Sequence, residues 1–228
     1  MAAQEVTLGQ FAGWLGSLGS QIERMDFPKP LQSCAFAASA SIKENFAGSH
    51  DPDGKPWAAL QRPRPMGGDK PLRNFGILMA SATAQGAQGH VRQISARALV
   101  FGSNLPQAAL HQHGGTVTPK SAGALTIPLT KEAVRSGGAR NMPDLFVWRP
   151  GRFATAGSKA GPAYLAERVQ TGRGRNKKSA LKLHWLLVQS VTIPARPFIG
   201  INAKLAETWD GILVDFVRKN LGEGPIHG

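Results

Sequence analysis

The sequence contains a single cysteine, Cys34, among its 228 residues. One cysteine excludes an intramolecular disulfide and every metal site that needs several thiolates. Cys34 lies in an alanine-rich stretch with helical spacing. We therefore expect a small buried side chain there rather than a nucleophile.

Long apolar runs are also missing. No run approaches the ~18 residues that a membrane-spanning helix needs. The first residues lack the basic start, apolar run and small-residue cleavage site of a secretion signal. The sequence thus predicts no membrane partner, and a protein made and kept in a cytoplasm or in a particle assembled there.

Acidic residues are scarce, with 14 Asp and Glu against 27 Lys and Arg, which gives a formal net charge of +13. Such a charge attracts polyanions. No pair of carboxyl residues stands out as a general acid and base, and no G-x-S-x-G or phosphate-binding glycine motif occurs. We therefore predict that the protein is not an enzyme and needs no cofactor.

Two short motifs resemble metal sites. In HQHGG, His111 and His113 would point the same way on a strand but diverge on a helix, and no cysteine or carboxylate is near in the sequence. DPDGKPW starts like a calcium loop, but Arg62 occupies the twelfth position, where a glutamate is needed. We interpret both as turns, with Trp57 anchoring the second, and predict no metal site.

The spacing of apolar residues predicts three long helices. A first stripe is followed by Pro28 and Pro30 and by a second, alanine-rich stripe, so residues 1–47 are predicted to form a helical hairpin. A last helix begins near Asn202, a good cap. The stripes are Leu8, Phe11, Leu15, Leu18, Ile22 and Met25; Leu31, Ala35, Ala38, Ile42 and Phe46; and Leu205, Trp209, Ile212, Leu213, Phe216 and Val217.

The middle of the chain is rich in turns, because Gly 27 and Pro 16 exceed ordinary usage. Residues 48–70 are predicted to be a loop, and residues 132–180 a glycine- and arginine-rich insertion with two short strands, DLFVWRP and AYLAERV. Further strands are predicted at 91–104, in a pair over 114–130, and at 180–195, with short helical segments within 71–85 and 105–113. We predict one elaborated α+β domain over 1–228, with a mainly antiparallel sheet.

A basic stretch, RVQTGRGRNKKSALK, covers residues 168–182. A loop of this kind can bind phosphate backbones by charge alone or meet an acidic protein, and it can equally be a solvated loop. No aromatic residues are interleaved, which disfavours recognition of bases. The residues predicted to contact nucleic acid or an acidic partner are Arg168, Arg173, Arg175, Lys177 and Lys178.

The stretch VTIPARPFIGIN, residues 191–202 (the joint segment), has an unusual composition between a strand and a helix. Pro194 and Pro197 fix their backbone angles and stop the strand. Arg196 offers a fork for a carboxylate or carbonyl, and Phe198 a large apolar anchor. The segment is either an assembly contact or an internal joint in which Phe198 fills its own core.

Several spaced blocks together resemble the phage virion morphogenesis family, whose members are also called tail-completion proteins. The blocks are FAGSHDPDGKPWAALQRPRP, similar to F-x-x-x-x-x-P-x-G-x-x-W-x-x-L, then PLRNFGILMASATAQ, ALVFGSNLPQAALHQHGGTVTPKSAGALTIPLT, and VTIPARPFIGIN before a last helix. The resemblance extends from about Ile42 to Val217. The 132–180 insertion resembles one carried by the Mu-like branch.

The resemblance implies a structural protein of the virion neck that forms a ring, expected to be a hexamer, at the end of the tail. Implied partners are the tail tube protein, a head connector or stopper protein, and phage DNA passing through the lumen. We predict an assembly interface at Trp57, Arg62, Arg196 and Phe198. The alternative hypothesis is a non-specific nucleic-acid-binding protein that uses the basic residues 168–182.

Overall fold

The computed structural model describes residues 7–60, 65, 70–150, 162–172 and 178–221. It confirms the predicted α+β class. In chain order the elements are α1 (Leu8–Glu23), α2 (Pro28–Gly48), α3 (Ile77–Thr83), β1 (His90–Ile94), β2 (Leu99–Ser103), α4 (Ala108–His113), β3 (Gly115–Val117), β4 (Leu125–Pro128), α5 (Lys131–Arg135), a 3-10 turn (Ala139–Asn141), β5 (Phe146–Trp148), β6 (Ala163–Thr171), β7 (Lys178–Val188), β8 (Val191–Ile193) and α6 (Ala203–Leu221).

The chain divides into two compact units, each made of separate stretches of sequence. Unit 1 comprises residues 1–56, 75–108 and 197–228, and unit 2 comprises 57–74 and 109–196. Whether the two units behave as the single domain predicted from the sequence stays a prediction.

Unit 1 is built on α2, which packs against α6, α3 and the β1–β2 hairpin. Proline in its first turn and Ser49 in the left-handed conformation mark the ends of α2. Of the stripe predicted from spacing, Ala35, Ala38, Ile42 and Phe46 are buried, whereas Leu31 is only half-buried. Cys34 is buried, as expected separately. The alanines let the neighbouring backbones approach closely, and burial raises the pKa of the Cys34 thiol. Trp209 of α6 donates to the Cys34 carbonyl at 2.9 Å.

The first helix differs from its prediction in what it contacts. Helix α1 begins with the Thr7–Gln10 capping box, as its sequence allows, but its main contact is with α6. None of its residues is buried. The two helices expected at the N-terminus are therefore present. Helix α1, however, makes its main contact with α6 rather than with α2.

All strand pairs in the described residues are antiparallel, as predicted. Several pairings differ from expectation. Residues 91–104 form the β1–β2 hairpin instead of one strand, because Ser95 and Ala98 close a turn by hydrogen bonds. Strands β3 and β4 do not pair with each other. Strand β3 pairs with β8, and β4 with β7, so residues 180–195 also divide between two sheets.

The main sheet of unit 2 has the order β4–β7–β6–β5. Most of it comes from residues 132–180, where the two short strands predicted in DLFVWRP and AYLAERV are present as β5 and β6. The β6–β7 hairpin is longer than its flanking strands, since β4 pairs only with 185–188 and β5 only with 164–166. Residues 167–171 and 178–182 thus form a two-stranded ribbon beyond the sheet (the basic ribbon).

Candidate assembly site

The joint segment is tied into the chain's own interior at several points. In unit 2, strand β8 ends at Ile193, directly before Pro194. The Arg196 side chain then donates from Nε to the Ala58 carbonyl at 2.9 Å and from Nη2 to the Ala59 carbonyl at 3.1 Å. The Arg196 backbone amide donates to the His111 carbonyl at 2.8 Å. The guanidinium fork is therefore used to hold the backbone of residues 58 and 59.

The HQHGG motif lies beside the same segment. Gly114 ends α4 by donating to the Leu110 carbonyl and has a φ of 73°, which favours glycine. A Cβ added to Gly114 would lie 2.7 Å from the Ala195 nitrogen. The glycine of the motif therefore lies where the backbone passes close to the backbone at Ala195. His111 and His113 are on helix α4, where residues two apart point to different sides.

In unit 1, the second half of the joint segment packs on the end of α2 and on the DPDG turn. The Phe198 ring lies 5.5 Å from that of Phe46, centroid to centroid, and the Asn45 side chain donates to the Phe198 carbonyl at 3.2 Å. A Cβ on Gly200 would lie 2.8 Å from Cγ of Pro52. Asn202 donates to the Pro52 carbonyl at 2.5 Å and accepts from the Leu205 amide at 2.8 Å, which caps α6 as predicted.

The DPDG turn is an Asx-type turn. The Asp51 carboxylate accepts from the backbone amides of Asp53 and Lys55, at 3.0 and 2.8 Å. An isolated bridge between His50 and Pro56 closes it. Two motifs that are about 150 residues apart in the chain, DPDG and PFIGIN, therefore meet through Pro52.

Three of the four predicted assembly residues are buried within the single chain. Trp57, Arg196 and Phe198 are only 7, 6 and 1% exposed in the single chain. Their side chains are part of the subunit's own packing, which matches the second interpretation of the joint segment. Arg62 lies outside the described residues. A role of the four in assembly stays a prediction, and for the three buried residues it would act through the subunit's shape.

Of the predicted polyanion-contacting residues, Arg168 and Lys178 are described and exposed, whereas Arg173, Arg175 and Lys177 lie outside the described residues. The Arg168 guanidinium is 5.5 Å from the centroid of the Phe146 ring. Lys182, in the same ribbon, pairs with Glu132 at 3.0 Å. The structure therefore places the described basic residues on one hairpin, two of them with internal partners.

A buried polar network in unit 2 gave no recognisable signal in the sequence. Strand β7 has one more residue than β6 between the pairs Leu165–Trp185 and Ala166–Leu183, so His184 forms a β-bulge. Its ring lies inside the unit, with Nε2 3.0 Å from the Glu167 carboxylate and Nδ1 2.9 Å from Thr130 Oγ1. A carboxylate only accepts, so Nε2 carries the proton, and in the neutral ring the Thr130 hydroxyl donates to Nδ1.

The same network anchors α5. Thr130 caps the helix by accepting from the Ala133 amide at 3.2 Å, and Glu132 pairs with Lys182. A hydrogen bond from its own backbone, followed by the Lys182 ammonium, lowers the pKa of Glu132 to about 2. The His184 ring of this network is 1% exposed, whereas the Glu167 side chain is 41% exposed.

Helix α1 of unit 1 exposes several large apolar side chains. Leu8, Phe11, Trp14 and Leu15 are between 47 and 88% exposed, and the Phe11 and Trp14 rings stack at 6.0 Å. The sequence predicts the apolar stripe, but not that its first half is exposed. Further along the stripe, Leu18 and Ile22 are half-buried.

Neither a metal cluster nor a membrane span is found where the structure places the chain. Within the described ranges, no group of three or more His, Cys, Asp or Glu residues could hold a metal ion. No helix among the residues placed by the structure is long and apolar enough to cross a bilayer.

Fold and contacts thus define an α+β protein in which the DPDG, HQHGG and joint-segment motifs contact other parts of the same chain. Helix α1 and the basic ribbon are exposed. The model of the phage virion morphogenesis family matches residues 6–142, more than half of the 228. The chain therefore belongs to the phage virion morphogenesis family. Comparison with curated proteins and with solved structures finds no significant match.

The matched range differs from the one that the sequence motifs indicated. It begins at residue 6 and so includes α1 and α2, whereas we expected the resemblance to begin near Ile42. It ends at residue 142, before the basic ribbon, the joint segment and α6. The assignment of VTIPARPFIGIN to the family therefore stays a prediction.

Proposed function

We propose that the protein is a structural component of the phage neck, which forms a ring at the end of the tail, completes the tail and joins it to the DNA-filled head. The observation that carries this proposal is the family match over residues 6–142, since the family acts in virion morphogenesis. Its site of action would be the virion, after synthesis in the host cytoplasm.

The internal use of the motif residues supports a structural role. Arg196, Asn202, Asp51 and Thr130 each form at least one side-chain hydrogen bond with the chain's own backbone. Such ties fix loops and helix ends in one conformation before docking. A pre-ordered subunit loses less conformational entropy on association. We infer that the fixed shape of the subunit, rather than a reactive group, is what the neck requires.

The proposed partners follow from ring geometry and charge. Identical subunits close a ring through head-to-tail contacts. One face of that ring would meet the tail tube protein, and the other a head connector or stopper protein. The formal charge of +13 would favour the passage of DNA phosphates through the lumen or contact with an acidic rim. A hexamer is the ring size we propose.

The second candidate function is non-specific nucleic-acid binding. It is favoured by one observation, namely that the basic ribbon extends beyond its flanking strands and exposes Arg168 and Lys178. A basic two-stranded ribbon can follow a phosphate backbone without reading its sequence. If the protein acts by binding nucleic acid, its function should depend on the charge of the ribbon. If it acts as a neck ring, its function should depend on contacts between subunits.

Electron microscopy of lysates from a phage whose copy of this gene is disabled tests the proposal. We expect DNA-filled heads beside unattached tails, with plaque formation restored by the intact gene in trans. Tails of abnormal length would indicate that the ring also terminates tail growth, and tails of normal length that it acts only in joining. Whole, infectious virions from the disabled phage would contradict the neck role.

A further inference from the structure

The net positive charge of the chain belongs entirely to one of its two compact units. Unit 1 contains 9 Lys and Arg against 10 Asp and Glu, which gives a net charge of −1. Unit 2 contains 18 against 4, which gives +14. A charge divided so unevenly creates a field around one unit and not around the whole chain. A partner of opposite charge should therefore meet unit 2.

The few carboxylates of unit 2 do little to neutralise this charge. Glu132 already pairs with Lys182 at 3.0 Å, and Glu167 lies 3.0 Å from the His184 ring. Asp144 is the only other carboxylate of unit 2 among the described residues. The basic surface of unit 2 is therefore balanced mainly by solvent ions, which a polyanion can displace.

Three exposed arginines of unit 2 lie outside the basic ribbon. Arg135 is in the last turn of α5, Arg140 in the 3-10 turn, and Arg149 directly after β5 (together, the arginine triplet). Within the described part of the chain, none of the three forms an ion pair with a carboxylate. A guanidinium group stays charged and can donate to two phosphate oxygens at once.

The arginine triplet lies on one side of the main sheet. Pairing through β6 puts Val147 and Trp185 on the same face of the sheet, and Trp185 Nε1 donates to Met142 Sδ at 3.4 Å. Residues 131–142, which include Arg135 and Arg140, therefore lie on that face. Arg149 follows Val147 by two positions, so the alternation of a strand places it on the same side.

The backbone that carries Arg135 and Arg140 is held by its own hydrogen bonds. The Ser136 amide donates to the Glu132 carbonyl at 2.9 Å, and the Asn141 side chain donates to the Ser136 carbonyl at 2.7 Å. Arginines on a fixed backbone lose less conformational entropy when they bind a ligand.

We propose that unit 2 is the part of the protein that contacts duplex DNA, and that Arg135, Arg140 and Arg149 bind its phosphate oxygens. The occurrence of this contact in the neck rests on the proposed function, whereas DNA binding by the purified chain does not. Phosphate contacts carry no sequence information. This property suits a protein past which a whole genome moves.

An acidic protein is the other polyanion that could meet this side of unit 2, but the composition of the surface favours DNA. Protein interfaces have an apolar core from which charged residues are depleted. Between positions 131 and 149, Val147 in the edge strand β5 is the one large apolar side chain that is exposed. Duplex DNA carries a charge about every 1.7 Å along its axis, which suits separate arginines spread over several elements.

Binding of the full chain to duplex DNA of mixed sequence, followed by fluorescence anisotropy at several salt concentrations, tests the proposal. The variant with Arg135→Gln, Arg140→Gln and Arg149→Gln should bind at least tenfold more weakly than the native chain. The slope of log affinity against log salt should fall by about 0.9 for each phosphate contact that is lost. Because all three side chains are exposed, the melting temperature should change little.

A matched control removes the same charge from unit 1. Lys43→Gln, Arg97→Gln and Lys219→Gln are all at exposed positions, and this variant should bind DNA almost as well as the native chain. Equal losses in the two triple variants would show that the total charge, and not this side of unit 2, binds DNA. No binding by the native chain at about 50 mM salt would also overturn the proposal.

A single substitution tests the surface in the opposite direction. Asp144 is an exposed carboxylate between Arg140 and Arg149 in the sequence, and its φ of 61° is one that asparagine also adopts. Asp144→Asn should therefore fold normally and strengthen DNA binding. Unchanged or weaker binding by this variant would contradict a phosphate contact at this side of unit 2.

The outcomes separate this proposal from the neck role. If the native chain does not bind DNA but the triplet variant fails to restore plaques, the DNA contact is wrong and an acidic protein is the partner of this surface. If phage without the gene are fully infectious, the neck role is wrong, and anisotropy with the purified chain still decides whether unit 2 binds DNA.

Discussion

Arg196 shows why a basic residue can be buried in a protein with few acids. Its guanidinium donates to two successive carbonyls, those of Ala58 and Ala59. A planar fork can satisfy both at once, whereas an ammonium group cannot match that geometry. The sequence shows that Arg196 is held between two prolines, but Ala58 and Ala59 are 138 and 137 residues away in the chain. Only the folded chain identifies them.

We expect Arg196→Lys to lower the free energy of unfolding by about 2 kcal/mol, because charge-assisted hydrogen bonds to buried carbonyls are removed. Urea unfolding measures this change. Arg97→Lys, at an exposed arginine, is the matched control and should alter stability by less than about 0.5 kcal/mol. Equal stability of both variants would show that the Arg196 fork contributes nothing to holding residues 58 and 59.

Phe198 is the second residue for which the structure changes an expectation. Because Phe198 belongs to the predicted assembly interface, Phe198→Asp would be a natural test of assembly, but the ring packs on Phe46 inside unit 1. A carboxylate there would disrupt folding, so a failure to assemble would say nothing about subunit contacts. We expect Phe198→Ala to reduce stability by about 3–5 kcal/mol. Phe75→Ala, at an exposed ring, should be nearly neutral in the same calorimetric measurement.

At the scale of elements, helices were more predictable than strands. The spacing of Ala35, Ala38, Ile42 and Phe46 identifies both α2 and its buried face, because every turn of a helix repeats the same contact. Strand partners depend on distant residues. The separation of β3 from β4 follows from pairing with β8 and β7, which the local sequence does not encode. The bulge at His184 breaks the alternation that would have revealed the buried face of β7.

Helix α5 has a pH-dependent anchor that can be tested. The pKa of Glu132 is lowered to about 2 from an ordinary value of 4.5. A lowered pKa means that the ionised form is favoured in the folded state. Its contribution to stability is therefore complete above about pH 4.5 and disappears as the pH falls towards 2.

We expect Glu132→Gln to lower the melting temperature slightly at pH 6, and to leave it unchanged at pH 2, where the native side chain is also losing its charge. The effect is small because the pair with Lys182 is exposed to solvent. Glu207→Gln, at an exposed position in α6, controls for a general loss of negative charge. A difference that persisted to pH 2 would assign the effect to packing rather than to the carboxylate.

At the scale of the whole molecule, the sequence predicts the class but not the arrangement of the chain. The order of helices and strands favours α+β, yet unit 1 is assembled from three separate stretches and unit 2 from two. Such interleaving arises from contacts between distant segments, such as Asn45 with Phe198. The exposed first half of α1 is likewise invisible in the sequence, since an apolar stripe looks the same whether it is covered by its own chain or by another.

The distribution of charge separates the two candidate functions. Reversing Arg168, Arg173, Arg175, Lys177 and Lys178 to glutamate replaces every basic residue between positions 168 and 178. If subunit contacts define the function, the variant should still complete tails and restore plaques in trans. Its binding to duplex DNA should weaken, with a salt dependence whose logarithmic slope falls by about 0.9 for each phosphate that the protein no longer neutralises.

A control with the same change in charge makes this outcome interpretable. It reverses five exposed basic residues outside the ribbon, namely Lys43, Arg97, Lys120, Lys131 and Lys219. If both variants restore plaques, neither total charge nor the ribbon is essential and the subunit contacts carry the function. If only the ribbon variant fails while its melting temperature and its oligomeric state are normal, then contact with DNA through the basic residues is the essential function. The ring would in that case serve to hold that contact in place.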